Sequence, residues 1–217
     1  MSVSKVCKIC SSATSHIRES RKNLDYYRCQ HCGFIYLDDK HIVDSQTEKA
    51  HYDKHQNSFE SLGYVDVFEK FIDKAIEPYL ENIESVLEFG CGFCPVLAEL
   101  LRRKGLEVDQ YDLYYFPKKV YEDKKYDLIT STEVFEHLKE PTTILQTLAN
   151  ATNSRGYIII MTRFPPYHDS DFLNWWYRRD ITHISFFTPK SFEIMGNSMG
   201  LKRINVFAPN VVVFQKC

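Results

Sequence analysis

Long apolar runs are missing from this 217-residue chain. The longest, Tyr157 to Met161, is far below the roughly 20 residues that cross a bilayer. No charged start followed by an apolar stretch opens the sequence, so a secretory leader is not expected. The expectation is a soluble, cytoplasmic protein with no membrane partner. A basic excess is also missing: 27 Lys and Arg stand against 29 Asp and Glu, a net charge of −2. Dedicated nucleic-acid binders usually carry surplus cation. The surplus that exists is local. Residues 1–40 carry +3 and the remainder −5. Four thiolates on one zinc ion would offset about two of those positive charges. Internal repeats and low-complexity tracts are absent too, leaving an ordinary globular composition with 44% hydrophobic residues.

What is present begins with cysteine. Cys7-x-x-Cys10 is followed, after eighteen residues, by Cys29-x-x-Cys32. In a reducing compartment such pairs read as metal sites before disulfides. Two Cys-x-x-Cys turns supply the tetrahedron of soft ligands that Zn²⁺ prefers. Cys7, Cys10, Cys29 and Cys32 therefore predict a zinc ribbon over residues 1–40. Four thiolates close the site, so the zinc is expected to be structural. Residues 41–62 are polar and read as a linker or a draped segment.

From residue 63 the pattern changes. Val67, Phe68, Phe71, Ile72, Ala75, Ile76 and Tyr79 recur at helical spacing. Strand and helix signals then alternate. Strands are expected at Val86–Phe89, Leu106–Tyr111, Tyr126–Thr130 and Tyr157–Thr162. Helices are expected at Pro95–Lys104, Pro141–Ala151 and Pro189–Met199. Lys202–Phe207 and Val211–Gln215 close the chain as two strands joined by a tight turn. Alternation of this kind implies a parallel sheet covered by helices, with an antiparallel edge.

The segment Val86-Leu87-Glu88-Phe89-Gly90-Cys91-Gly92-Phe93-Cys94-Pro95 is a strand, a glycine turn and a helix start. Gly90 and Gly92 permit a tight turn and close approach to a ligand. Glu88 would repel a pyrophosphate, but it can accept hydrogen bonds from a cationic amino acid. Pro95 replaces the third glycine of a dinucleotide loop. Both features disfavour NAD. Asp112 ends the next strand, where an acid meets ribose hydroxyls. The run from Tyr126 to Leu138 brings Thr132, Glu133 and His137 to the same crevice.

These residues resemble class I S-adenosylmethionine (SAM)-dependent methyltransferases over residues 63–217. The stretch Asp180-Ile-Thr-His183-Ile-Ser-Phe-Phe is similar to the ubiquinone-biosynthesis type. The resemblance implies a Rossmann-like, mostly parallel seven-stranded sheet with a C-terminal antiparallel edge. It implies that Glu88, Gly90, Cys91 and Gly92 surround the methionine part of SAM, with Thr132 and Glu133 beside them and Asp112 on the ribose. Only thirteen residues separate Asp112 from Tyr126, so a reduced third strand is expected, with Glu122 or Asp123 as adenine contacts. His51, Tyr52, His55, Gln56 and Asn57 are candidates to fold over the SAM carboxylate. His183, His137 and His168 are candidate bases, with Asp171 beside them. The aromatic and arginine residues from Arg163 to Arg179 suit an anionic or aromatic small-molecule substrate. The alternatives are an RNA methyltransferase that docks nucleic acid on the ribbon, and a non-catalytic binding module.

Overall fold

The computed structural model describes residues 5–54 and 58–217. His55, Gln56 and Asn57 lie outside the described residues. The chain opens with three short antiparallel strands, β1 (Thr14–Glu19), β2 (Leu24–Cys29) and β3 (Ile35–Leu37). Helix α1 (Ser45–Tyr52) follows; the Asp44 carboxylate caps it by accepting from the Thr47 amide at 2.8 Å. α1 buries no residue, so polar contacts must hold it in place.

The expected helix around Val67 is a composite. α2 (Leu62–Phe71) passes into one wide turn, Ile72–Ile76, and then a tight one, Glu77–Asn82. Pro78 sits in the first turn of that last piece, where its missing N–H costs nothing. The alternating region then runs β4 (Ser85–Phe89), α3 (Val96–Arg103), β5 (Glu107–Tyr111), β6 (Tyr126–Thr132), α4 (Pro141–Ala151) and β7 (Thr152–Met161). It continues through α5 (Asp169–Asn174), β8 (Ser185–Phe186), α6 (Pro189–Asn197), β9 (Leu201–Phe207) and β10 (Val211–Lys216).

The main sheet has the order β5-β4-β6-β7-β10-β9. The first four strands are parallel, and β10 joins both neighbours antiparallel. Alternation along the strands sorts the core. Leu87, Ile129, Ile158, Ile160 and Val212 face one layer with α4 and α6. Val86, Leu128, Ile159 and Val213 face the other, with α2, the wide turn and α3. Both faces are covered, as a parallel sheet requires. β4 has β5 on one side and β6 on the other, so the chain reverses direction across the sheet there. The crevice at those strand ends is where ligands bind in such folds.

Two features differ from the sequence expectation. The sheet has six strands among the described residues, not seven. Residues 113–125 form no strand; Asp112 pairs with Phe116 in a tight turn, and Tyr121 packs on Phe89 and Tyr111. Thirteen residues are too few for a helix and a further strand. The ribbon sheet also extends beyond residue 40. β8 adds as its fourth strand, Ile35 opposite Phe186 and Tyr36 opposite Ser185. Cys7, Cys29 and Cys32 share a core with Phe187, Phe192 and the strands of the main sheet.

Candidate active site

One cavity of about 950 Å³ opens at the switch point of the sheet. Its first wall is the loop after β4. Gly90 has φ +83°, and a Cβ there would lie 2.2 Å from Val134 Cγ2. Gly92 has φ +65°, and nothing lies within 4 Å of where its Cβ would be. The first glycine is needed for packing, the second leaves backbone open to a ligand. Gly90 N and Cys91 N both donate to the Tyr111 carbonyl, at 2.7 and 3.1 Å, fastening the loop to the end of β5.

Glu88 is 2% exposed. Its carboxylate accepts one hydrogen bond from Ala98 N at 3.0 Å. Burial pushes it up to about 8, because desolvation of the carboxylate outweighs its one amide hydrogen bond and the attraction of Arg102. Asp112 works differently. One oxygen accepts from Gly92 N at 3.0 Å, the other from Tyr114 N and Tyr115 N at 2.9 and 3.0 Å. It staples the two loops together. Each carboxylate oxygen has two acceptor positions, so the one bound to Gly92 N still accepts a ligand hydroxyl.

The far wall comes from the end of β6 and from the chain before β8. Glu133 adopts φ +53°, a strained conformation for a residue with a side chain. The Tyr177 hydroxyl lies between two acids, 3.0 Å from Glu133 at the cavity wall and in contact with the buried Glu136. Burial and the neighbouring Glu136 charge push Glu133 up to about 8, and burial also raises Glu136. Two imidazoles stand beside them. His137 Nδ1 meets the Thr182 carbonyl at 3.1 Å, and His183 Nδ1 meets the Tyr177 carbonyl at 2.7 Å. A carbonyl only accepts, so Nδ1 carries a proton in both rings. Burial, then the neighbouring His137, lowers His183 to about 4, which keeps it neutral.

Helix α1 straps the opening. The Glu48 carboxylate accepts from the Tyr52 and Tyr114 hydroxyls at 2.9 and 2.6 Å. Tyr115 OH donates to Asp53 at 2.7 Å, and His51 Nε2 lies 3.0 Å from Asp180. Glu48 and Tyr52 thereby line the cavity, with the Tyr52 ring edge-on to His137 at 5.2 Å. Arg163, Trp176 and Arg179 line the same end, the Arg163 guanidinium 5.0 Å from the Trp176 ring centre.

A family model described as a methyltransferase domain matches residues 51–206. The chain belongs to this methyltransferase family. No curated protein matches it in sequence. Solved structures share the fold. Magnesium protoporphyrin IX methyltransferase from Synechocystis, with bound SAM, is 13% identical with a TM-score of 0.53, over 80% of this chain and 92% of that one. A SAM-dependent methyltransferase from Archaeoglobus fulgidus is 18% identical with a TM-score of 0.53, over 70% of this chain and 94% of that one.

Most residues singled out from the sequence of this methyltransferase line its cavity: Glu88, Gly90, Cys91, Gly92, Asp112, Thr132, Glu133, Tyr52, His137 and His183. Others do not. His168 stands at the start of α5 beside the exposed Tyr167; the Arg28–Asp169 ion pair at 2.7 Å fixes that helix against the ribbon. Asp171 goes with it. Glu122 pairs with Lys119 at 3.2 Å, and neither it nor Asp123 reaches the cavity; Leu113, Tyr114 and Tyr115 do. Arg178 turns toward the ribbon and donates to Tyr26 OH and to the Phe172 and Leu173 carbonyls. Sequence reasoning did not single out Tyr177, Glu136 and Glu48 as site residues. Their roles arise from burial and from pairing across the chain, and no local signal marks them.

The four cysteines converge. Cys7 Sγ lies 3.7 Å from Cys32 Sγ, and Cys10 Sγ lies 3.4 Å from Cys29 Sγ. All four sulfurs fall within 4.8 Å of one another. Tetrahedral zinc with bonds of roughly 2.3 Å places sulfurs about 3.8 Å apart. Amides of Ile9, His31 and Cys32 point at Cys7 and Cys29 sulfurs at 3.3–3.4 Å, as ligand thiolates require. The donor set fits zinc. Among the described residues no helix is long and apolar enough to cross a membrane.

Proposed function

We propose that this methyltransferase moves a methyl group from SAM to a small-molecule acceptor held under α1. The observation that carries the reading is one continuous cavity with Glu88, Gly92 and Asp112 at one end and Glu133, His137 and His183 at the other. SAM is a sulfonium with an ammonium and a carboxylate. A buried acid with a single hydrogen bond, an open glycine backbone and a ribose-height carboxylate suit it. Glu88 answers the cationic methionine end and Asp112 the ribose. Leu113, Tyr114 and Tyr115 offer apolar and aromatic surface for the adenine.

SAM, when bound, supplies the activated methyl group. The protein then has to align the acceptor, because positioning dominates such a transfer. Arg163, Trp176 and Arg179 suit an anionic or aromatic acceptor. The neutral His183 presents its Nε2 lone pair to the acceptor's nucleophilic oxygen, nitrogen or carbon, with His137 beside it. Zinc in the ribbon is structural: β3, which follows Cys32, pairs with β8, two residues after His183.

An RNA acceptor fits less well. Ribbon cations are already committed to acids: Lys5 to Asp38, Lys8 to Asp39, Arg18 and Lys40 to Asp25, Arg28 to Asp169. Few remain for a phosphate backbone. The test is to incubate purified protein with methyl-labelled SAM and a cell extract. Label in the small-molecule fraction supports the reading; label confined to RNA or protein overturns it.

A further inference from the structure

Three lysine and arginine side chains line the cavity, and only Lys139 is in an ion pair, with Asp39 at 3.1 Å. Among the described residues neither Arg163 nor Arg179 pairs with an acid. We propose that Arg163, Trp176 and Arg179 form an oxyanion subsite, and that the acceptor is a planar aromatic ring carrying a carboxylate or phosphate. The proposal rests on the small-molecule reading and names the class of acceptor that reading would take.

The two arginines have no structural task that explains them. Two acids of their own segment are already engaged. Asp169 holds Arg28 at 2.7 Å. Asp180 holds His51 at 3.0 Å and accepts from the Thr182 amide and hydroxyl at 2.9 and 2.6 Å. Arg178 shows the contrast: it is buried, and it gives its donors to the Tyr26 hydroxyl and to the Phe172 and Leu173 carbonyls.

Arg163 is held on both sides by its main chain. Thr162 N donates to the Asn210 carbonyl at 2.8 Å, and Phe164 N to the Pro209 carbonyl at 3.0 Å. Its guanidinium lies 5.0 Å from the Trp176 ring centre. A guanidinium over a ring keeps N–H donors along its edge, where they can fork onto an oxyanion. Trp176 opens the tight turn Tyr177–Arg179, and Arg179 N donates to its carbonyl at 2.9 Å. Residues three apart in such a turn share a face, which puts the second guanidinium beside the indole. One Arg179 nitrogen donates to the Asn174 carbonyl at 3.3 Å, and the other donors remain for a ligand.

Trp176 lines the cavity and is 59% exposed. Tryptophan and arginine dominate the anchoring positions of binding surfaces. The indole surface that Arg163 leaves uncovered offers a planar molecule offset stacking. Space permits it. The cavity of about 950 Å³ is near the top of the roughly 300–1,000 Å³ range for sites that hold one drug-sized ligand, so a nucleoside and one further ring fit together. Charge fixes one end of the ring and stacking fixes its plane, which is the orientation that methyl transfer needs.

The test is calorimetric titration of the zinc-loaded protein, with and without saturating S-adenosylhomocysteine. The probes are salicylate, phenyl phosphate, catechol, inorganic phosphate and a short RNA oligonucleotide. Salicylate or phenyl phosphate should bind at least about tenfold tighter than catechol, which has the ring without the charge, and than inorganic phosphate, which has the charge without the ring. The tighter of the two names the oxyanion. Arg163→Gln and Arg179→Gln should each remove most of the gap over catechol, and Trp176→Ala the gap over inorganic phosphate. None of the three side chains is buried, so the unfolding midpoint should stay near wild type, as should S-adenosylhomocysteine affinity. No preference for aromatic oxyanions in folded protein, a preference unchanged in all three variants, or tight binding of the oligonucleotide alone would overturn the proposal. Loss of S-adenosylhomocysteine affinity in the arginine variants would assign these residues to the cofactor carboxylate and overturn it too. Aromatic oxyanion binding by protein that does not take S-adenosylhomocysteine would support the subsite and overturn the methyl-donor reading.

Discussion

Replacing Glu88 by glutamine probes the electrostatics of the cofactor end. Glu88 is 2% exposed and accepts one amide hydrogen bond, and burial pushes it up to about 8. At pH 7 such a carboxyl is ionised in about one molecule in ten. A ligand whose cationic end requires the ionised form loses that factor in affinity. Wild-type affinity for S-adenosylhomocysteine should therefore rise about ninefold from pH 6 to 7 and about fivefold from pH 7 to 8, about 1.3 and 1 kcal/mol. The sign for the free protein is opposite. A carboxyl raised above its unfolded value contributes stability that is complete below about 4.5 and lost as pH rises through about 8. The empty protein should thus weaken over that window, and the ligand should restore it. Glu88→Gln removes both slopes and binds more weakly at pH 8. Glu133 is raised as well, so the variant is the control that assigns the slope. Calorimetric titration at pH 6, 7 and 8 reads it. An equal rise with pH in Glu88→Gln, or none in the wild type, refutes the reasoning.

Gly90→Ala places a Cβ 2.2 Å from Val134 Cγ2 at φ +83°; a loss of about 2–4 kcal/mol is expected by chemical denaturation, whereas a neutral effect would show that the loop is not packed as described. Asp112→Ala should weaken S-adenosylhomocysteine binding by at least about tenfold, about 1.4 kcal/mol, and unchanged affinity would remove Asp112 from the site. Replacing Cys29 and Cys32 with serine should release zinc. Because β3 pairs with β8, it should also lower methyl transfer; retained stoichiometric zinc would refute the ribbon assignment.

The main sheet was legible because its signals are local. Val86-Leu87 and Leu128-Ile129 are buried on both faces and so read as short apolar runs, each followed by polar residues at the crevice. The paired cysteines were legible for the same reason, since each Cys-x-x-Cys turn is complete in four residues. β8 was not. Two residues make a strand only because β3, some 150 positions earlier, offers an edge, and nothing in Ser185-Phe186 announces that partner. α1 buries no apolar face, so its periodicity is silent, and its place follows from Glu48, His51 and Asp53 meeting Tyr114, Asp180 and Tyr115. The sequence marked His183 and His137 as candidates but not the Glu133–Tyr177–Glu136 contact beside them, which depends on burial that no spacing encodes. His168 looked equivalent to them by residue type, and its place at the start of α5, away from the cavity lining, sets it apart.

The central claim is that the cavity takes a methionine-derived nucleoside. The most direct test is calorimetric titration of the purified protein with S-adenosylhomocysteine, with NADH run in parallel. Saturable one-site binding of S-adenosylhomocysteine, lost in the Asp112→Ala variant and absent for NADH, is the predicted result. Binding of NADH alone, or of neither ligand by folded, zinc-loaded protein, would contradict it.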